Sequence, residues 1–154
     1  MNILSLELST DINSNSNLKE RVDHFENLLS ELRKRALPDA LIQSINKAIE
    51  EIHTASSQEA QLKNVLRKKQ SSIIKMLEKE MKLVPKFYYR NLWMVLGMSA
   101  FGIPLGVAFS LSIKNMGFIG IGLPIGMAIG MIVGTNMDKK AFAEGRQLDV
   151  VLKY

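Results

Sequence analysis

Residues 91–113 read NLWMVLGMSAFGIPLGVAFSLSI and residues 116–137 read MGFIGIGLPIGMAIGMIVGTNM; neither stretch holds an Asp, Glu, Lys or Arg. A helix rises ~1.5 Å per residue and the hydrocarbon core of a bilayer is ~30 Å thick, so about 20 apolar residues suffice to cross it. Each stretch is long enough. A buried helix of a soluble domain keeps some polar surface, and two adjoining uncharged runs leave none. Only Lys114 and Asn115 separate the runs, too little chain for anything but an immediate reversal. The expectation is an all-α chain with a transmembrane helical hairpin over residues 87–137.

Orientation follows from the basic residues near the span ends. Lys79, Lys82, Lys86 and Arg90 precede the first span, and Lys139, Lys140 and Arg146 follow the second, against Lys114 alone in the turn. Both termini are therefore expected in the cytoplasm. Tyr88, Tyr89 and Trp93, beside Lys86 and Arg90, read as an aromatic belt at the headgroups, with Lys139 and Lys140 as basic anchors on the exit side.

Gly122, Gly126, Gly130 and Gly134 recur every four residues in the second span. Hydrophobic burial does not hold helices together in lipid, so small residues on one face act by letting backbones approach. This is a glycine zipper. Gly102 and Gly106 of the first span repeat the spacing, with Pro104 between them as Pro124 lies between Gly122 and Gly126. In a hairpin centred on Lys114, Gly102 faces Gly126, Gly106 faces Gly122, and Pro104 faces Pro124. Gly130 and Gly134 then fall at the level of Met98 and Met94, and the lack of a small partner there predicts a contact with a second subunit, the alternative being that the two methionines pack into the glycine groove. Each proline removes a backbone donor and predicts a helix kink, freeing the carbonyls of Ala100 and Gly120 for other partners.

Residues 1–17 are Asn- and Ser-rich toward their end and read as a flexible N-terminus. Residues 18–86 form a helical arm. Leu18, Val22, Phe25, Leu29, Leu32 and Ala36 alternate spacings of four and three, as coiled-coil core positions do. Pro38 and Asp39 open a second stretch, whose seam runs through Ile45, Ala48, Ile52 and Ala55 to Leu62, Leu66, Ile73 and Met76 or Leu77. That stretch is compatible with one long helix or with a bend near Ser56 and Glu59. The pattern serves a coiled coil between chains and a fold-back within one chain equally well. Residues 138–154 form a basic cytoplasmic tail, in which Leu148, Val150 and Leu152 alternate with other residues as Leu4, Leu6 and Leu8 do; a two-stranded pairing of the two segments is one reading.

Several chemistries lack material. The chain has no cysteine, hence no disulfide, thiolate metal site or thiol nucleophile. His24 and His53 have no partner at a ligand-like spacing, and no nucleophile–base pair is apparent. No catalytic, cofactor-binding or metal-ligating residue is therefore assigned, and no cofactor is expected. No charged side chain lies within either span to relay protons or bind a charged substrate. Between Lys63 and Arg90 the Lys and Arg far outnumber Glu78 and Glu80, which favours anionic lipid headgroups. Without an interleaved aromatic platform, the stretch does not suggest nucleic acid.

The stretch GIGLPIGMAIGMIVGTNMDKKAFAEGRQLD resembles the C-terminal part of small two-span glycine-zipper membrane proteins of bacteria, over about residues 86–150. The resemblance implies the hairpin, its glycines, the basic exit and a bacterial inner-membrane location. It implies no activity. Two functions fit: a non-enzymatic, homo-oligomeric scaffold or anchor whose helical arm meets a cytoplasmic protein partner, and a pore-forming or holin-like protein.

Overall fold

The computed structural model describes residues 2–6, 16–55 and 59–152. The chain divides into two units, residues 1–85 with 148–154, and residues 86–147.

In the first unit, three helices, α1 (Ser16–Arg33), α2 (Asp39–Thr54) and α3 (Glu59–Met81), are followed by two short strands, β1 (Val84–Lys86) and β2 (Gln147–Val151), which pair. Pro38, its φ fixed near −60°, stands before α2 and its carbonyl accepts the Leu41 and Ile42 amides. Helix α3 packs on both α1 and α2. The core holds Phe25, Leu29 and Leu32 from α1, Ile45, Ile49 and Ile52 from α2, and Leu66, Ile73 and Leu77 from α3, all essentially inaccessible. Leu148, Val150 and Leu152 from the C-terminal segment are buried as well.

The arm is thus a small helical domain whose seam closes within one chain. A coiled-coil seam uses two positions per heptad, yet α2 buries Leu41, Ile42, Ile45, Ala48, Ile49 and Ile52. That stripe is wide enough to serve more than one neighbour. Val22 is only half-buried and Ala36, beyond the end of α1, is exposed, whereas Leu28 is fully buried. The possible long helix beyond Pro38 is divided into α2 and α3; Ser56 lies outside the described residues.

Both ends of the chain depart from expectation. Residues 2–6 are held against α1 and α2: the Leu4 amide donates to Asn46 Oδ1 at 2.9 Å, and Asn46 Nδ2 donates to the Asn2 carbonyl at 3.0 Å. Arg33 donates to the carbonyls of Ile3 and Leu4, and Ile3 and Leu6 are buried. The remainder of the expected flexible N-terminus, bar its final helical residues, lies outside the described residues, as does Leu8. The alternating tail does form a strand, but its partner is Val84–Lys86 and not the Leu4 segment. That segment donates and accepts through helix side chains instead.

The second unit is the hairpin. Its first arm comprises α4 (Tyr88–Gly97), a π-helical turn (Met98–Gly102) and α5 (Ile103–Ile113). A 3-10 turn (Met116–Phe118) leads into the second arm, α6 (Ile119–Ala143). The arms, Tyr88–Ile113 and Met116–Ala143, are 26 and 28 residues long, apolar and long enough to span a membrane. Lys114 takes a left-handed conformation (φ 54°) and closes α5: the Asn115 amide reaches the Ser110 carbonyl at 3.1 Å and the Lys114 amide reaches Leu111 at 3.3 Å. This is the Schellman pattern, in which otherwise unpaired terminal carbonyls are satisfied. Asn115 Oδ1 then accepts the Gly117 amide at 2.9 Å and starts the return helix. One residue stops a helix and the next begins another.

Candidate functional site: a glycine-packed hairpin closed by a carboxylate

The face that α6 buries consists of Gly122, Gly126, Gly130, Gly134 and Asp138, with Ala141 beyond. Every member but the last is four residues from its neighbour, so the stripe follows one side of the helix. Opposite it the first arm buries Gly97, Gly102, Gly106 and Ser110. The contact is backbone on backbone. A Cβ built on Gly126 would lie 2.6 Å from the Gly102 Cα, and one on Gly122 would lie 2.6 Å from the Gly106 Cα. No side chain fits at such distances, and this close approach is where glycine is required. The expected facing of Gly102 with Gly126 and Gly106 with Gly122 is observed.

The expectation for Gly130 and Gly134 is not. A Cβ on Gly130 would lie 3.1 Å from the Gly97 Cα and would strike the Trp93 carbonyl. One on Gly134 would lie 2.5 Å from the Arg90 Cα and meet the Tyr89 carbonyl. Both glycines are filled by their own chain, not by Met98 and Met94 and not by a vacant face awaiting a subunit. The π turn accounts for the difference. Along the first arm the contact positions are Tyr89, Trp93, Gly97, Gly102, Gly106 and Ser110, four apart except for five between Gly97 and Gly102. A π turn absorbs that extra residue, here with the Ile103 amide donating to the Met98 carbonyl. Without it, everything before Met98 would rotate off the contact face. Sequence reading that counts in fours passes over Gly97.

The two prolines are accommodated differently. Pro104 follows the π turn directly, in the first turn of α5. Pro124 lies inside α6, which is continuous from Ile119 to Ala143.

At the open end of the hairpin the glycine stripe ends in Asp138, the first residue of the expected basic tail. Asp138 is 6% exposed. Oδ1 accepts the Tyr89 amide and Oδ2 the Arg90 amide, each at 3.0 Å. These are two of the first-turn amides of α4, which have no partner within their own helix. Phe87, left-handed at φ 62°, precedes them. A carboxylate at a helix N-terminus meets both unpaired donors and the positive end of the helix dipole. The signal available in the sequence was the four-residue period itself, which runs past Gly134 to Asp138.

Aromatic and basic residues stand beside this cap. Tyr88 and Tyr89 meet edge to face with ring centroids 5.2 Å apart, and the Arg90 guanidinium stacks over the Phe87 ring at 4.2 Å. Lys139 and Lys140 are exposed, whereas Lys86 and Trp93 are half-buried. Gly145 (φ 68°) ends α6 with the same Schellman pattern, the Arg146 amide donating to the Ala141 carbonyl at 2.9 Å. Arg146 then pairs with Glu144; that carboxylate, together with the Tyr89 hydroxyl, raises the guanidinium pKa above its ordinary value.

The surface turned away from the glycines carries the large apolar side chains. Val95, Phe101, Ile103, Val107, Leu111, Ile121, Ile125 and Ile132 are all exposed. This inverts the arrangement of a water-soluble helix pair, in which such residues face inward. No group of His, Asp or Glu suited to a metal ion occurs among the described residues. No protein-family model, curated protein or solved structure matches the chain.

Proposed function

We propose that this chain is a non-enzymatic membrane anchor. The glycine-packed hairpin crosses the inner membrane of a bacterium and carries the helical domain on its cytoplasmic side, where that domain meets a protein partner. The single observation supporting this reading is the inverted surface: glycine backbone inside, branched aliphatic side chains outside. Exposing that surface to water costs about 25 cal/mol for each Å² of apolar area, and a bilayer removes the cost. Residues before and after the hairpin fold into one unit, so two crossings return the chain to the side from which it left. The excess of Lys and Arg at the open end over Lys114 at the turn makes that side the cytoplasm.

The alternative is a pore. Water-filled pores need polar lining, and Ser99 and Ser112, the exposed hydroxyls of the first span, donate to carbonyls of their own helix at 2.8–3.1 Å. A homo-oligomer also loses the vacant glycines that motivated it. Induced expression in cells carrying a membrane-potential dye separates the readings: an anchor leaves the potential unchanged, and a pore collapses it in a manner abolished by Gly126→Leu.

A further inference from the structure

A cleft of about 310 Å³ opens beside the Asp138 cap. Arg90, Thr135, Lys139, Phe87 and Phe142 line it together with Asp138. Phe142 is 71% and Phe87 40% exposed. We propose that this cleft binds the headgroup of an anionic phospholipid, its phosphate held between Arg90 and Lys139. The proposal rests on the membrane-spanning reading above.

Four observations carry it. The cleft lies where the uncharged run of α6 ends at Met137 and where α4 begins, the depth at which a spanning helix meets headgroups. The Arg90 and Lys139 side chains have no hydrogen-bond or ion-pair partner among the described residues; Arg90 contacts the Phe87 ring through its guanidinium face. That stacking fixes the guanidinium while leaving its N–H edge for a phosphate, the geometry in which arginine binds oxyanions best. Asp138 offsets the two cations only in part, because both its oxygens are engaged by α4 amides and the helix N-terminus they belong to carries about half a positive charge of its own. The two phenylalanines supply apolar walls at the level of the upper acyl chain, and an inorganic anion has no use for them. A neutral zwitterionic headgroup would bring its own cation against Arg90 and Lys139. The occupant is therefore an anionic lipid.

Trp93, the only tryptophan, stands one helical turn from Arg90 and reports on the test. The purified full-length chain is placed in nanodiscs of phosphatidylglycerol and phosphatidylcholine in equal amounts, with brominated acyl chains on one lipid at a time. Quenching of Trp93 by either brominated lipid reports insertion. Preferential quenching by brominated phosphatidylglycerol reports the site, and at about a factor of five for each nearby basic residue the preference is expected to be about five-fold or more. Lys139→Gln, at an exposed position, should reduce it, and Arg90→Gln with Lys139→Gln should bring the two lipids to parity. Lys68→Gln with Lys75→Gln, in the helical domain, should leave the preference intact. Equal quenching by both lipids in the parent, or a preference unaffected by the Arg90 and Lys139 changes, overturns the site while leaving the spanning reading in place. Loss of the preference on adding inorganic phosphate would identify a free anion as the ligand and overturn the lipid assignment. Absence of quenching by either lipid removes the spanning reading and the site with it.

Discussion

Asp138 Oδ2 accepts the Arg90 backbone N–H at 3.0 Å, so the last position of the four-residue stripe on the second hairpin arm closes on the first turn of the other. The glycine stripe that lets the two backbones touch therefore ends in a group that ties them. Both roles fall on one side of α6, because Asp138 is one further four-residue step beyond Gly134.

Removing that tie should loosen the hairpin at its open end. Asp138→Ala leaves two α4 amides without their acceptor and is expected to cost about 2 kcal/mol. Asp138→Asn, which keeps one acceptor oxygen, should cost less. Unfolding of the purified chain by denaturing detergent, followed by helical circular dichroism, measures both. Equal stability of Asp138→Ala and the parent would show that the cap contributes nothing.

The glycines divide by position. Gly122→Leu, Gly126→Leu, Gly130→Leu and Gly134→Leu should all destabilise the hairpin by about 3 kcal/mol or more, since each drives a side chain into backbone atoms of the first arm. Gly120→Ala should be neutral or slightly stabilising, because a Cβ there meets nothing within 4 Å and alanine favours helix by up to about 1 kcal/mol. Accumulation in membranes and detergent unfolding are the readouts. A Gly130→Leu protein as stable as the parent would mean that this half of the stripe faces something other than its own chain.

The π turn makes an unusual deletion tolerable. Deleting Ala100 turns the five-residue step between Gly97 and Gly102 into a regular four, so the first arm becomes continuous α-helix with its glycines still aligned and Pro104 inside it, as Pro124 lies inside α6. Deleting Ala128, between Gly126 and Gly130, rotates half the stripe away and should abolish folding. If both deletions proved equally damaging in the same assay, the π turn would have a role beyond register.

In the helical domain, Phe25 is fully buried within its own chain. Phe25→Ala is expected to cost about 3–5 kcal/mol, and Phe25→Asp should unfold the domain without passing through a folded, dissociated species. Sedimentation and circular dichroism distinguish this from a coiled coil between chains, where folded subunits would separate. A pH effect also follows from Glu51, whose carboxyl is lowered from its ordinary 4.5 by its hydrogen bond to Lys69. The contribution is present above that ordinary value and is lost as pH falls through the lowered one. Both groups are on the surface, so Glu51→Gln should remove a small, salt-sensitive part of the acid destabilisation and nothing more.

Charge and length made the two spans and the tight turn legible in the sequence, and the four-residue glycine period placed Gly102 against Gly126 and Gly106 against Gly122. Four features escaped. Gly97 lies out of phase in any count by fours, and only a local change of helix type restores its alignment. Asp138 follows an apolar run, where a carboxylate resembles the start of a soluble tail; its function depends on which amides stand across from it. The domain core escaped because a heptad reading registers one seam, whereas α2 buries a face wide enough for more than one neighbour. The strand partner of Gln147–Val151 was equally hidden, since Val84–Lys86 is three residues long and interrupted by Pro85, too short to show alternation.

The proposed anchor requires a chain that crosses a membrane twice and returns. Because the sequence has no cysteine, single cysteines placed at Asn115 in the turn and at Ser44 in α2 can be probed without background. In intact cells stripped of their outer membrane, a membrane-impermeant maleimide should label position 115 and leave position 44 unlabelled until the inner membrane is lysed. Labelling of position 44 before lysis, or protection of position 115, would contradict the hairpin orientation, and recovery of both variants in the soluble fraction would contradict the membrane reading itself.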